Sequence, residues 1–200
     1  MNDKIIIPYN ICFLGRTGNG KSSLINSLFG TALMTDPLIP CTKILSTSTI
    51  LTTEVTGFNA ISAYDTPGIG EFSESEPYQL YYQYAVSKAN CIVLVITLDR
   101  TDAPAQRLLM SLKTFIDERR KPKFIIALNH IDSRVTVNCK DDQVWDDLSN
   151  SPTELRMNQI SERQQIIKDK YSDKFLPFEV VPVCALRGYG IDVLKSKILK

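Results

Sequence analysis

Short apolar runs alternate with longer amphipathic segments along the whole chain. Six runs are rich in Ile and Val and mostly continuous, which is typical of strands covered on both faces. They lie at residues 11–14, 44–51, 61–64, 91–98, 124–128 and 180–184. Helical candidates lie between most of them, at residues 21–29, 77–89, 104–119, 153–171 and 191–200. This alternation predicts an α/β fold with a mainly parallel sheet and helices on both faces.

One pair of runs departs from the parallel rule. Residues 44–51 and 61–64 are joined by a short polar link that contains Gly57. Such a link is too short for a crossover helix and suits an antiparallel hairpin. The pattern therefore predicts a six-stranded sheet with one antiparallel strand at its edge.

The start of the fourth helix has a local sequence pattern of its own. Ser151 precedes a proline, and Glu154 follows three residues after the serine. This spacing is typical of a capping box with proline at the first helical position. From there Leu155, Ile160 and Ile167 can share one face with Tyr171, so we expect this helix to pack on the sheet.

Composition limits the classes of protein to which the chain can belong. The chain has 200 residues, 44% of them apolar, which fits one globular domain over residues 1–200. The sequence leaves open whether the natural chain extends beyond residue 200. With 23 Lys+Arg against 22 Asp+Glu, the net charge is +1. Binding of nucleic acid or lipid by bulk charge is therefore not expected, although a local basic patch remains possible.

The apolar runs and cysteines also bear on location. The longest uninterrupted apolar stretch, residues 91–96, is far shorter than the ~20 residues of a membrane helix. The amino terminus lacks the pattern of a secretory signal. Five cysteines are scattered singly, with no metal-binding spacing, which favours a reducing compartment. We therefore expect a cytoplasmic protein without an integral membrane segment.

The strongest motif lies between the first apolar run and the first helical candidate. Residues 15–22 spell GRTGNGKS, a complete G-x-x-x-x-G-K-S. Glycines let the backbone curl so that its N–H groups converge on phosphate oxygens, and the following helix points its positive end there. Lys21 then reaches the β- and γ-phosphates, and the Ser22 hydroxyl binds Mg²⁺. The predicted phosphate-binding residues are Arg16, Thr17, Gly18, Asn19, Gly20, Lys21, Ser22 and Ser23.

A second acidic element follows the third apolar run. Residues 65–68 spell DTPG, at the place where a P-loop site needs its next carboxylate. Asp65 is predicted to hold Mg²⁺ through a water, and the Gly68 N–H to contact the γ-phosphate. The same four residues can also form a plain turn, but the intact P-loop before them favours the functional interpretation.

Two later motifs suit recognition of a base. Asn129, His130 and Asp132 follow the fifth apolar run. A carboxylate at Asp132 can accept hydrogen bonds from guanine N1–H and the exocyclic amine, which adenine lacks, so adenine would leave that carboxylate unpaired. Another three predicted base-binding residues end the last run: Cys184, Ala185, whose N–H can donate to guanine O6, and Leu186.

With these four elements in order, the chain resembles the P-loop GTPases of the translation-factor-related class, Era-like branch. GRTGNGKS, DTPG, NHID and CAL stand where that family has its nucleotide motifs, and they span residues 15–186. The amino-acid sequence of the P-loop is also similar to that of immunity-related and AIG1-type GTPases. The resemblance implies a three-layer G domain that hydrolyses GTP with Mg²⁺ and changes state with its nucleotide.

The resemblance also implies a switch threonine that closes over Mg²⁺ and the γ-phosphate. Thr42 lies at the matching place, although Thr35, Thr47 and Thr49 are near enough to remain alternatives. The predicted catalytic set is thus Lys21, Thr42 and Gly68, and the predicted metal ligands are Ser22, Thr42 and Asp65.

Three positions depart from the family pattern, one of them Gly18, which stands where potassium-activated members carry asparagine. His130 replaces a lysine whose stem covers the purine, so it either stacks there with weaker affinity or is simply solvated. Ile69 stands where Ras-like enzymes place the glutamine that orients the attacking water. We therefore expect slow intrinsic hydrolysis, raised by a homodimer or a protein partner that binds the switch regions.

Two other functions remain open at this stage. A nucleotide-gated scaffold that binds GTP but hardly hydrolyses it is favoured by Ile69 and His130. An adenine-nucleotide P-loop enzyme, such as a small kinase, is disfavoured by Asp132. Contact with nucleic acid or the ribosome is also left open. The acidic stretch around Trp145 is expected to be a solvated face, with Val144, Trp145 and Leu148 in a short amphipathic turn.

Overall fold

The computed structural model describes residues 5–35, 44–70, 76–99, 103–117, 119–133, 144–172 and 175–200. Its strands are β1 Pro8–Gly15, β2 Ser46–Leu51, β3 Ala60–Asp65, β4 Cys91–Thr97, β5 Lys123–Asn129, β6 Trp145–Asp146, β7 Ser151–Pro152 and β8 Phe178–Pro182. Its helices are α1 Lys21–Phe29, α2 Glu76–Lys88, α3 Ala103–Leu112, α4 Glu154–Tyr171 and α5 Ile191–Leu199. A single 3₁₀ turn, Lys113–Phe115, follows α3, so this helix is shorter than the predicted 104–119.

Six strands form one sheet in the order β2-β3-β1-β4-β5-β8. Strand β2 runs antiparallel to β3 at the edge, and all the other pairs are parallel. The predicted six-stranded, mainly parallel sheet with one antiparallel edge strand is confirmed. Parallel strands bring their carboxyl ends to one edge, so the loops after β1, β3, β5 and β8 lie together.

Both faces of the sheet are buried, as the continuous apolar runs predict. Side chains of β1 alternate between the two sides, with Ile11 and Phe13 on one and Cys12 and Leu14 on the other. Helices α1 and α5 cover the first side, and α2, α3 and α4 cover the second. Among the described residues, no helix combines the length and apolar character needed to cross a bilayer.

The start of α4 differs from the capping prediction. Thr153 is the N-cap, and its hydroxyl accepts a hydrogen bond from the N–H of Arg156 at 3.4 Å. Ser151 instead belongs to β7, which pairs with β6 in a small antiparallel ladder. The serine is therefore not the cap, because its backbone is already engaged in that ladder.

The buried face of α4 also differs in one residue. Ile160, Ile167 and Tyr171 are buried as predicted, but Leu155 is 47% exposed. In the segment before α4, Val144 and Trp145 are buried while Leu148 is fully exposed. The segment is thus a hairpin with one buried strand end, and the amphipathic turn that would have included Leu148 does not form.

Replacing the two hydroxyl residues in turn tests the position of the cap. We expect Thr153→Ala to lower the free energy of unfolding by about 1 kcal/mol, because the N–H of Arg156 loses its acceptor. Ser151→Ala should change it by less than about 0.5 kcal/mol, since the one hydrogen bond of its hydroxyl among the described residues is with the exposed Ser149. Urea denaturation of both variants measures the difference, and a larger loss for Ser151→Ala would contradict this assignment.

Candidate nucleotide-binding site

The P-loop lies between the end of β1 and the start of α1. Gly20 is the N-cap of α1 and has φ of 82°, a left-handed conformation that favours glycine. A side chain at this position would also collide with its neighbours, since a Cβ would lie 2.5 Å from Asn129 Nδ2. A glycine is therefore required at residue 20, both because the backbone is left-handed there and because a side chain would collide with Asn129.

Lys21 is buried within this loop. Its Nζ donates a hydrogen bond to the carbonyl of Gly15 at 3.1 Å, and the residue is only 6% exposed. Burial lowers the pKa of Lys21 to about 8, although the nearby Asp65 carboxylate opposes the shift. An anion bound in the loop would stabilise the charged form of this amine. The predicted phosphate-binding lysine thus packs against the P-loop in this structure.

Ser22 and Asp65 meet as the predicted metal ligands should. The Ser22 hydroxyl donates to Asp65 Oδ2 at 2.5 Å, and Asp65 is 1% exposed at the end of β3. A hydroxyl and a carboxylate are hard oxygen donors, which Mg²⁺ prefers. Within the described ranges, no group of three or more His, Cys, Asp or Glu side chains could hold a metal ion alone. The donor set fits Mg²⁺ bound by few protein oxygens together with phosphates.

The segment after β3 packs directly on the P-loop. The Thr66 hydroxyl donates to the carbonyl of Phe13 at 2.7 Å, and the Ile69 N–H donates to the carbonyl of Gly15 at 3.0 Å. A Cβ on Gly68 would lie 2.1 Å from the Thr17 hydroxyl. Gly68 therefore allows the close approach that places this segment beside the phosphate loop.

Ile69 has its side chain in the hydrophobic core. The residue is 1% exposed and belongs to the core cluster that contains Leu14 and Tyr82. Its side chain is therefore part of the core, and a hydrocarbon side chain offers no hydrogen bond to a water.

Asn129 joins two loops. Its Nδ2 donates to the carbonyl of Asn19 at 2.9 Å, and its Oδ1 accepts from the N–H of Ala185 at 3.1 Å. The Asn19 side chain is in turn anchored to the carbonyl of Val95 at 2.8 Å. The Ala185 N–H that the sequence assigns to guanine O6 is thus already bonded to Asn129, so a contact with O6 requires sharing that donor or releasing it.

The remaining base-site residues surround this amide. His130 has φ of 56°, and its Nε2 lies 2.9 Å from the place of a Cβ on Gly20, so the ring packs on the P-loop. Cys184 is buried, whereas Leu186 is 89% exposed. Burial, above all, and the negative charge of Asp132 raise the pKa of the Cys184 thiol to about 12, although the backbone of Arg187 opposes the shift, so the thiol stays protonated.

Asp132 has a partner that sequence reasoning missed. The Nε of Arg187 lies 3.3 Å from Asp132 Oδ2, and Arg187 follows directly after the CAL motif. The one feature of the sequence that points to Arg187 is its place directly after the predicted base-binding motif CAL.

Two predicted site residues remain, Ser23 and Thr42. Ser23 lies in the first turn of α1. Thr42 falls outside the described residues, so its assignment stays a prediction. Of its alternatives, Thr47 and Thr49 lie in β2, where the Thr49 hydroxyl pairs with that of Ser62 at 3.0 Å.

These elements define the class as a P-loop nucleotide-binding domain, and comparison with known proteins defines the family. The sequence model of the family described as "50S ribosome-binding GTPase" matches residues 10–130, and the chain belongs to this family. A comparison with curated proteins found no significant match.

Solved structures show the same fold. Era in complex with MgGDPNP and nucleotides 1506–1542 of 16S ribosomal RNA is 23% identical, with a TM-score of 0.64 over 98% of this chain and 57% of that chain. An Aquifex aeolicus Era variant bound to GDP.AlF4- is 25% identical, with a TM-score of 0.63 over 95% of this chain and 55% of that chain. An S. thermophilus NFeoB variant bound to GDP.AlF4- is 19% identical, with a TM-score of 0.59 over 95% of this chain and 62% of that chain. The chain thus spans little more than half the length of these Era proteins.

Gly68, the last residue of DTPG, and Gly70, two residues after it, test the packing on the P-loop. Gly68→Ala should lower the free energy of unfolding by about 1–3 kcal/mol, because the added methyl group overlaps Thr17. Gly70→Ala is the matched control, since its Cβ would meet only the Thr17 hydroxyl at 3.9 Å. Chemical denaturation measures both, and equal losses would show that the close approach at Gly68 is not tight.

Proposed function

We propose that this domain binds GTP and GDP with Mg²⁺ and hydrolyses GTP to GDP and phosphate as a nucleotide-dependent switch. The observation that carries the proposal is the buried Asn129 amide, which joins the P-loop to the loop of Ala185. Asp132 follows three residues later, so a guanine-selective carboxylate lies on the same chain segment as the residue that holds the phosphate loop.

Each protein group has a role in the proposed hydrolysis. Lys21 and the P-loop N–H groups stabilise the charge that develops on the phosphates as water attacks in line. Ser22 directly, and Asp65 through a water, would hold Mg²⁺, which supplies further stabilisation of the phosphate oxygens when bound. The Gly68 N–H and Thr42 are assigned to the γ-phosphate, so hydrolysis releases both and changes the switch regions.

The environment of Ile69 supports slow intrinsic turnover. Since its side chain is core-packed, the attacking water must be positioned by backbone groups or by another residue. We include in the proposal that a homodimer or a protein partner raises the rate through the switch regions. The same burial of Ile69 favours a second candidate, a scaffold that binds GTP and hardly hydrolyses it, and phosphate release with candidate partners separates the two.

A cytoplasmic location is also part of the proposal. Cys12, Cys91 and Cys184 are free thiols, which suits a reducing compartment. The Era comparison structure contains a piece of 16S ribosomal RNA, so an RNA-containing partner is a candidate for this chain as well.

Titration of fluorescent GDP, GTP and ATP into wild type and Asp132→Asn tests the base assignment. We expect wild type to prefer guanine nucleotides. The variant should bind GDP at least about tenfold more weakly, because hydrogen bonds to a charged acceptor are lost. It should gain affinity for xanthine nucleotides, whose C2 carbonyl accepts from an amide. Equal binding of ATP and GTP by wild type would contradict the proposal and favour an adenine-nucleotide enzyme.

Ile69→Gln tests how the water is positioned. A family-based view expects the glutamine to raise hydrolysis, but the side chain at this position enters the core. We expect no gain in the rate of phosphate release and a loss of about 2 kcal/mol in the free energy of unfolding, because an amide is buried. A several-fold faster turnover would show that residue 69 can reach the site.

A further inference from the structure

Arg187 joins two carboxylates from different parts of the chain. Its Nε lies 3.3 Å from Asp132 Oδ2, and its Nη1 lies 2.5 Å from Asp147 Oδ1. The Asp132 side chain is 17% exposed, whereas that of Asp147 is 81% exposed. The arginine thus links the inner base-site carboxylate to an outer one on the protein surface.

The outer carboxylate belongs to a hairpin, residues 145–152, which we call the hairpin clamp. Its strands β6 and β7 pair Trp145 with Pro152. The Trp145 ring lies 4.9 Å from the Arg187 guanidinium carbon, a cation–π distance, and meets Tyr189 edge-on at 5.6 Å. Asn150 Nδ2 donates to the carbonyl of Arg187 at 3.1 Å. The clamp therefore holds both the side chain and the backbone of this one residue.

Asp132 has room for Arg187 and for a base together. A carboxylate offers about four lone-pair sites, and guanine N1–H and its exocyclic amine take one on each oxygen. The Arg187 Nε occupies a further site on Oδ2. This contact restricts rotation of the carboxylate, so that its plane can be aligned with that of the base.

An arginine that competed with guanine for Asp132 would be expected to contact this carboxylate in a different geometry. An arginine that blocks a carboxylate usually forms the bidentate fork, with two parallel N–H bonds. Here Nη1 is directed to Asp147 and the guanidinium rests on Trp145, so Asp132 receives its contact from Nε. The hairpin clamp holds the guanidinium to one side of Asp132, so that Arg187 does not form a bidentate pair with this carboxylate.

We propose that Arg187 is a specificity-positioning residue for guanine, held by the hairpin clamp so that Asp132 can contact both N1–H and the exocyclic amine. This inference rests on the proposed guanine-nucleotide function. It assigns a role to residues 145–152, which lie outside the four nucleotide motifs.

The test compares GDP with IDP, whose hypoxanthine base lacks the exocyclic amine. We expect Arg187→Met to weaken GDP binding about three- to tenfold and IDP binding less than about twofold, because the second hydrogen bond depends on carboxylate orientation. The preference for GDP over IDP therefore falls. Arg187→Lys should restore part of it, since the ammonium keeps the charge without the planar fork.

Two further variants keep the test decisive. Asp147→Ala changes an exposed side chain and should lower the GDP preference in the same direction by a smaller factor, even where Arg187→Met fails to fold. Arg120→Met removes an exposed arginine that pairs with Asp117 ahead of β5, and it should change neither affinity.

The outcomes separate the two proposals. If wild type binds GDP no better than ADP, the proposed function itself is wrong. If wild type prefers GDP but Arg187→Met binds it as tightly or more tightly, Arg187 is not a positioning residue. Equal weakening of GDP and IDP would indicate general support of the loop and would also overturn the inference, as would an unchanged GDP preference in Asp147→Ala.

Discussion

The arrangement of the site depends on one buried side-chain amide, that of Asn129. Its donor binds the carbonyl of Asn19 in the P-loop, and its acceptor binds the N–H of Ala185 in the loop after β8. The residue is fully buried, so a missing partner would leave a polar group in the core at a cost of about 1–3 kcal/mol. Since two loops satisfy this one amide, the position of each depends on the other.

The sheet brings that amide into place. Strand β5 pairs with β4 so that Asn129 lies opposite Thr97, and β4 in turn places Val95 beside Gly15 of β1. The Asn19 side chain closes the link by donating to the carbonyl of Val95. The P-loop and the loop after β5 are therefore connected through the carboxyl ends of three adjacent strands, and the edge hairpin β2-β3 brings Asp65, the predicted metal carboxylate, to the same side.

Local patterns predicted the elements and the motifs because their causes are local. Continuous Ile- and Val-rich runs follow from strands buried on both faces, and the P-loop spacing follows from the geometry of phosphate binding. The cap of α4 was placed wrongly at Ser151, because pairing of β7 with β6 depends on a ladder that sequence spacing does not show. Arg187 was missed for a similar reason, since its partners Asp132 and Asp147 are 55 and 40 positions away along the chain. The family pattern identified Ile69 as a replaced glutamine, but only the packing shows that its side chain enters the core.

Hydrogen exchange of wild type with and without GDP and Mg²⁺ tests this account most directly. If Asn129 couples the loops, GDP should slow amide exchange together in residues 15–23, 129–132 and 184–187, and ADP at the same concentration should not. Protection of the P-loop alone, or equal protection by ADP, would contradict the account.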